Sequence, residues 1–391
     1  MSIQPSDPAF DTPFDAVTWE ELRARKSAKW ARYGPDVLPA WLAETDFQLA
    51  EPIRRELHAA IERGDTGYPT RGDLGAVFAD WAKLHWRWAL EPADVYLVAD
   101  VVTGMAEVLR IATAPGDRVV IDTPVYPPFA GTIERLGRVV APVPLASGGS
   151  GWTLDLEAVA RAYRAGAKAH LLCSPHNPTG IVHSEQTLKA LGELAHAHDV
   201  WVLSDEVHAP LTLPGSTHVP FAAVSASAAA RAIVLMSASK TWNLAGLKAA
   251  FMVAAADAPR ALLARLPAEL PYHAGHFGVL ASCTAFREGE AYRSELLRVL
   301  DRNRRLLADC LQRQLPRVRY LPPQAGYLAW LDFRALGMGD DPARRLLERG
   351  RVALSSGPSF GAPGRGFARL NIGTTAALLE EAVARIAAAL G

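Results

Sequence analysis

The chain has 391 residues, half of them hydrophobic, and its 41 lysines and arginines are matched by 41 aspartates and glutamates. Such a length and apolar content can bury the core of two domains, or of one large α/β domain with an appendage. The charge balance leaves no global field toward nucleic acid or an anionic membrane, so small molecules and copies of the chain itself are the expected partners.

In chain order, the opening MSIQPSDPAFDTPFD shows no basic stretch followed by an apolar one, and no charge-free run reaches the ~20 residues of a membrane span. A cytoplasmic protein is expected. EPIRRELHAAIERG sets Ile53, Leu57, Ala60 and Ile61 on one helical face, with Gly64 where a C-cap is wanted. WAKLHWRW, residues 81–88, mixes basic and aromatic side chains as a nucleic-acid patch does, but the reading it fits best is an amphipathic helix with tryptophan packed inward. DVVTGMAEVL, residues 100–109, reads as the start of a helix at which the backbone N–H groups of Gly104 and Met105 can receive a phosphate.

DRVVID, AHLLC and VWVLSD are short apolar runs of the buried parallel-strand type. Between the last two, Ser184 caps a helix whose buried stripe is Leu188, Leu191 and Ala195. The Ala-rich AVSASAAARA at 223–232 reads as a helix or a connection. This β-α-β alternation, from about residue 95 to 255, predicts an α/β fold with a mostly parallel sheet flanked by helices, and functional residues at the strand C-terminal ends. In the final third, charged helical stretches surround strands such as GYLAWLDF and GFARLNIG, which predicts a smaller α+β C-terminal domain. The expected boundaries are an N-terminal arm over 1–50 packing on the small domain, a large domain over 51–285 and the small domain over 286–391.

Chemistry collects at the ends of these strands. VWVLSDEVH leaves Asp205 at a buried strand end, where a carboxylate needs a cation or donor nearby. RAIVLMSASK brings Lys240 to the end of the next strand, where burial lowers an amine pKa and permits Schiff-base formation. Alone, each residue is as readily a helix cap or a solvated strand end. SPHNPTG (174–180) adds Asn177 on a rigid turn, Ser237 and Ser239 add hydroxyls, and DTPVYPPF (122–129) adds Tyr126, a flat ring fixed between prolines.

With these segments in place, the chain resembles the fold-type-I pyridoxal 5′-phosphate enzymes of the class I/II aminotransferase superfamily. Over roughly its whole length it is most similar to their cystathionine β-lyase or C–S lyase branch. SASKTWNLAGL, PHNPTG, SDEVH, TPVYPPF, GYLAWLDFR and SFGAPGRGFARLNIG carry the likeness in order. The resemblance implies that Lys240 holds the cofactor as a Schiff base, that Asp205 pairs with the pyridine nitrogen, and that Asn177 and His208 lie toward its phenolic oxygen. It implies further that Tyr126 stacks on the ring, that Gly104, Met105, Ser237 and Ser239 cradle the phosphate, and that Lys248 stands where aspartate aminotransferases place a phosphate-binding arginine, or else is a solvated surface lysine. Arg369, flanked by apolar residues in FARLNIG, resembles the arginine that grips a substrate α-carboxylate. Tyr68 resembles a residue that reaches the phosphate of a neighbouring subunit, which implies a homodimer with shared active sites; packing at a turn is the alternative.

The branch usually reads ADMDF where this chain has AETDF at 43–47, so Ala43 is retained while Glu44 and Thr45 are departures in a loop that lies over the substrate in this family. The implied reaction is α,β-elimination from an amino-acid substrate, cystathionine or a larger cysteine S-conjugate, to thiol, pyruvate and ammonia. Transamination with a 2-oxo acid uses the same residues and is the alternative; a regulatory or scaffold protein that keeps the cofactor fold but works by binding a partner is the remote one. Cys173, Cys283 and Cys310 are odd in number and lack C-x-x-C spacing, and the histidines of the middle third match no zinc motif, so neither a disulfide framework nor a metal site is expected.

Overall fold

The computed structural model describes residues 12–148 and 151–391; the first eleven residues of the expected arm lie outside the described residues. Seven strands form the main sheet: β1 (Val95–Val98), β2 (Arg118–Thr123), β3 (Val139–Pro144), β4 (Ala167–Cys173), β5 (Trp201–Asp205), β6 (Ala232–Met236) and β7 (Ala250–Val253). Their order is β1-β7-β6-β5-β4-β2-β3, all parallel except β7, which runs antiparallel to both its neighbours. The central strands read as continuous apolar runs because both faces of the sheet are covered; every residue of β6 is buried.

The helices α1 (Glu51–Glu62), α2 (Leu74–Trp86), α3 (Val101–Ala112), α4 (Pro128–Arg135), α5 (Leu156–Arg164), α6 (Glu185–Ala197) and α7 (His276–Glu288) supply that cover. On one face Phe78, Trp81, Val159, Leu188, Leu191 and Phe286 form a buried cluster. On the other, Met105, Val108 and Leu109 of α3 pack with Phe129 and Ile133 of α4. Ser184 Oγ accepts from Thr187 N–H at 3.1 Å, the N-cap that starts α6. Trp81 and Trp88 are buried, so the 81–88 stretch spends its aromatics on the core. One expected core residue faces out: Ile61 is 59% exposed. At 100° per residue it falls about 80° around the helix from Ile53, at the edge of the stripe that Ile53 and Ala60 bury.

A second sheet holds β8 (Arg319–Tyr320), β9 (Leu328–Asp332), β10 (Ser355–Ser356) and β11 (Phe367–Asn371), antiparallel in the order β8-β9-β11-β10. It packs on α8 (Glu290–Gln314) and α9 (Ala376–Leu390) through Leu300, Leu307, Leu370, Val383 and Ile386. Phe14, Leu38, Ala40 and Phe47 enter the same cluster, and Leu38–Pro39 pairs in parallel with Val352–Ala353. Residues 38–47 are thus fastened to the C-terminal third, and Ala43, just beyond that pairing, lies beside Lys240 at the end of β6.

Candidate active site

A cavity of about 380 Å³ opens at the C-terminal edge of the parallel strands. Asp100 follows β1, Tyr126 follows β2, Asn177 follows β4, His208 follows β5 and Lys240 follows β6, and all five line it. Because β7 runs the other way, its N-terminal approach, Lys248 and Ala249, meets the same rim. Ala43, from the N-terminal segment, completes the wall.

Asp205 ends β5, is buried, and accepts from Val207 N–H at 3.2 Å. Burial pushes its carboxyl up to about 6, against that N–H and the charge of Lys240. Lys240 Nζ donates to Ala43 O at 3.0 Å. Burial first, and the Arg369 guanidinium second, push the Lys240 ammonium down to about 8, while Asp205 and Glu44 pull it back. Each charge favours the other, and with its ammonium near 8 the amine is within reach of its neutral, nucleophilic form near neutral pH.

Arg369 on β11 is buried, and its Nη1 donates to Asn177 Oδ1 at 2.8 Å. Nη2 donates to Trp41 O at 3.0 Å and Ser355 Oγ at 3.1 Å, while the buried Nε–H has no acceptor. The guanidinium rests 5.0 Å from the Phe360 ring. Burial lowers its pKa to about 10, so it stays charged at neutral pH. No carboxylate of the described residues pairs with it, although removing an isolated cation from water is costly. A buried arginine with neutral partners and a spare donor suits a carboxylate supplied by a ligand.

One part of the sequence reading is corrected. Asp100 is the N-cap of α3, its Oδ1 accepting from Thr103 N–H at 2.8 Å, so the helix starts at Val101. Gly104 and Met105 lie in its second turn, buried, and Gly104 N–H already donates to Asp100 O at 2.9 Å. Neither lines the cavity. The N–H groups left without an intrahelical acceptor are those of Val101 and Val102, and both residues do line it. The signal was present in the sequence: an aspartate before an apolar-periodic run marks the cap.

Ser237 and Ser239 line the cavity, but Ser237 Oγ is engaged, donating to Ala249 O at 2.7 Å and accepting from Ser239 N–H at 3.0 Å. Lys248 lines it too, exposed and ion-paired with Asp100 at 3.1 Å. Tyr126 forms part of the wall, half-buried. His208 is buried with Nδ1 unpartnered; burial, then the charges of Lys240 and Arg369, push it down to about 3, so its ring is neutral. Tyr68 is not brought to the cavity of its own chain: it is 85% exposed and meets Tyr272 edge-on.

Besides Val101, Val102, Trp41 and Ser355, two further residues escaped the sequence reading. Cys173 lines the floor, its Sγ accepting from Asn177 N–H at 3.3 Å, and Tyr327 hydroxyl donates to Ala43 O at 3.1 Å beside Lys240 Nζ. Of the middle-third histidines, His170 and His183 are buried posts: His170 Nε2 lies 2.7 Å from Asp122 Oδ2, and His183 Nε2 donates to Cys173 O at 3.1 Å.

Residues 41–386 match the family model described as aminotransferase class I and II. The chain is 34% identical to the cystathionine beta-lyase PatB of Bacillus subtilis, over 95% of this chain and 98% of that one. The same figures relate it to the cystathionine beta-lyase of Corynebacterium glutamicum. Its fold matches the PLP-bound C–S lyase of Staphylococcus hominis with a TM-score of 0.89 at 25% identity, covering 96% of this chain and 98% of that structure.

Proposed function

The chain belongs to the class I and II aminotransferase family, and from that premise we propose that it is a pyridoxal 5′-phosphate-dependent carbon–sulfur β-lyase. It cleaves cystathionine or another cysteine S-conjugate to a thiol, pyruvate and ammonia. What carries this reading over transamination is the near-full-length similarity to two proteins named cystathionine beta-lyases, because both reactions draw on the same residues.

The residues present fit the cofactor. Lys240 offers an amine of lowered pKa for an aldehyde, and Asp205, a buried carboxyl, suits a pyridine N–H. The free N–H groups of Val101 and Val102 suit a phosphate, with the Ser239 hydroxyl and Lys248 beside them. Tyr126 offers a flat wall, and Asn177 and the unpartnered His208 suit the phenolic side. When bound, pyridoxal phosphate supplies a protonated ring that takes up the electron pair left on the substrate Cα.

The chain's own groups do the rest. Arg369 holds the α-carboxylate, oriented by Asn177, Trp41 and Ser355. Lys240 Nζ would take the Cα proton as general base. The Cβ–S bond then breaks, the sulfur leaves as a thiol on gaining a proton, and water converts the remaining enamine to pyruvate and ammonia. Ala43 lines the site, and the Tyr327 hydroxyl, which donates to Ala43 O, keeps it there while Lys240 is engaged.

No helix of the described residues is long and apolar enough to cross a membrane. A homodimer is our reading of Tyr68, Tyr272, Ile61 and Leu84, large apolar side chains that are all more than half exposed. The deciding assay supplies L-cystathionine without a 2-oxo acid. Stoichiometric thiol and pyruvate, abolished by Lys240→Ala, is the expected result; amino transfer on adding a 2-oxo acid, with no thiol, overturns it.

A further inference from the structure

The segment 42–46, which carries Ala43 to the rim of the active site, is held from two sides in alternation. Leu42, Glu44 and Asp46 are held by the C-terminal third and the N-terminal arm. Asn371 Nδ2 donates to Leu42 O at 2.6 Å and to Glu44 O at 2.7 Å, Lys29 Nζ donates to Glu44 O at 3.1 Å, and Asp46 N–H donates to Gly373 O at 2.8 Å. Ala43 and Thr45 are engaged by the loop that carries Lys240. Lys240 Nζ donates to Ala43 O at 3.0 Å, a carbonyl it shares with the Tyr327 hydroxyl. Asn243 closes on Thr45 with both ends of its carboxamide: Oδ1 accepts from Thr45 N–H and Nδ2 donates to Thr45 O, each at 3.1 Å.

The backbone of Asn243 is left-handed, at φ 58°, a conformation that asparagine tolerates better than most residues. The loop around it is fixed. Trp242 is fully buried and donates its indole N–H to Gly289 O at 3.0 Å, while the N–H groups of Trp242 and Leu244 donate to Ala238 O at 3.1 Å and Ser239 O at 3.0 Å. The carboxamide clip therefore joins two rigid bodies, three residues beyond Lys240. Trp41 and Leu42 are held without it: Trp41 O accepts from Ser355 Oγ at 2.6 Å and from Arg369, and Leu42 O from Asn371.

We propose that Asn243 is a positioning residue for proton removal. Its carboxamide fixes residues 43–45 against the Lys240 loop, so that Ala43 O, by accepting one N–H of the free Lys240 amine, restricts the directions open to the Nζ lone pair. The inference rests on the proposed role of Lys240 as general base. In that step the Cα–H bond breaks, its electron pair stays with the substrate and cofactor, and the proton joins the Nζ lone pair. Elimination and transamination both begin with it.

The test uses two variants. Asn243→Gly keeps the left-handed backbone and removes the clip; Asn243→Asp keeps the acceptor for Thr45 N–H but sets an oxygen against Thr45 O. The pyridoxal-phosphate-loaded enzyme is given L-alanine in deuterium oxide, and loss of the α-proton is followed by NMR. Alanine has no leaving group on Cβ, so proton removal is read without elimination. In both variants the exchange rate at saturation should fall about tenfold, while the half-saturating alanine concentration stays within about threefold because the supports of Arg369 are untouched. Amide hydrogen exchange of the apoenzyme should quicken across residues 42–47 and stay unchanged across β5. Should the glycine variant not fold, the aspartate variant decides. An unchanged α-proton exchange rate, a loss confined to alanine affinity, or intact amide protection of 42–47 would each overturn the proposal. α-Proton exchange that the variants slow, with no thiol released from L-cystathionine, would support it while overturning the β-lyase reading.

Discussion

Arg369 Nη1 donates to Asn177 Oδ1 at 2.8 Å, joining a strand of the small sheet to a turn of the main one across 192 positions of sequence. All its partners are neutral, so the guanidinium is oriented without its charge being spent. On the proposed reading that charge awaits a carboxylate. Arg369→Lys, which keeps the charge but loses the fork, should lower kcat/KM for an α-amino acid by about 100-fold or more, mainly through KM. Cofactor affinity, measured by absorbance titration of the apoenzyme, should change by no more than about threefold. An unchanged KM would remove Arg369 from the substrate.

Lys240 should set the pH at which the apoenzyme captures its cofactor. Only the neutral amine attacks an aldehyde, and this ammonium is held at about 8, so stopped-flow reconstitution should quicken from pH 6 to 9 with its midpoint near about 8. The sign of each neighbour can be tested. Arg369 pushes the value down, so Arg369→Gln should move the midpoint to higher pH; Asp205 pulls it up, so Asp205→Asn should move it lower. Shifts of the opposite sign would rule out this electrostatic account.

How much of this was written in the sequence depends on how local each signal is. β4, β5 and β6 were legible because a strand covered on both faces carries a buried apolar run, so the polar residues that end or follow it mark the rim. Arg369 was legible because apolar neighbours promised its burial. The start of α3 was misplaced because glycine was weighed above the cap that Asp100 provides. Trp41 and Ser355 as partners of Arg369, and Tyr327 beside Lys240, had no local signal: these contacts join segments 14 to 328 positions apart, and only the tertiary fold brings them together.

Gly278 offers a test of the pocket wall through packing. A Cβ there would stand 2.3 Å from Leu247 O and 2.9 Å from Ala249 Cβ, against the stretch whose Lys248 and Ala249 line the active site. In an ordinary helix interior, Gly→Ala stabilises by roughly 0.5–1 kcal/mol. Here the clash reverses the sign. Gly278→Ala should lower Tm by several degrees and cofactor affinity about tenfold, read by thermal melts of the apoenzyme and by absorbance titration. A raised Tm would mean that the wall yields without cost.

His176 is expected to act as a positioning residue for Asn177. Its Nε2 donates to Asp122 O at 3.2 Å and its Nδ1 accepts from Thr179 Oγ1 at 2.9 Å, tying the turn that carries Asn177 to the end of the strand that leads to Tyr126. Burial holds the ring down to about 3, so it is neutral throughout the working pH range and contributes by donating and accepting, not by titrating. His176→Leu leaves the Asp122 carbonyl unpaired at a cost of about 1–3 kcal/mol and lets Asn177 drift from Arg369. Activity should fall about tenfold, chiefly through KM, with the pH profile keeping its shape. His176→Gln, which restores a donor, should recover most of the loss in KM. If glutamine fails to rescue while the variant melts as the wild type does, or if the acid limb of the profile moves with either substitution, the residue has a chemical role that this geometry does not contain.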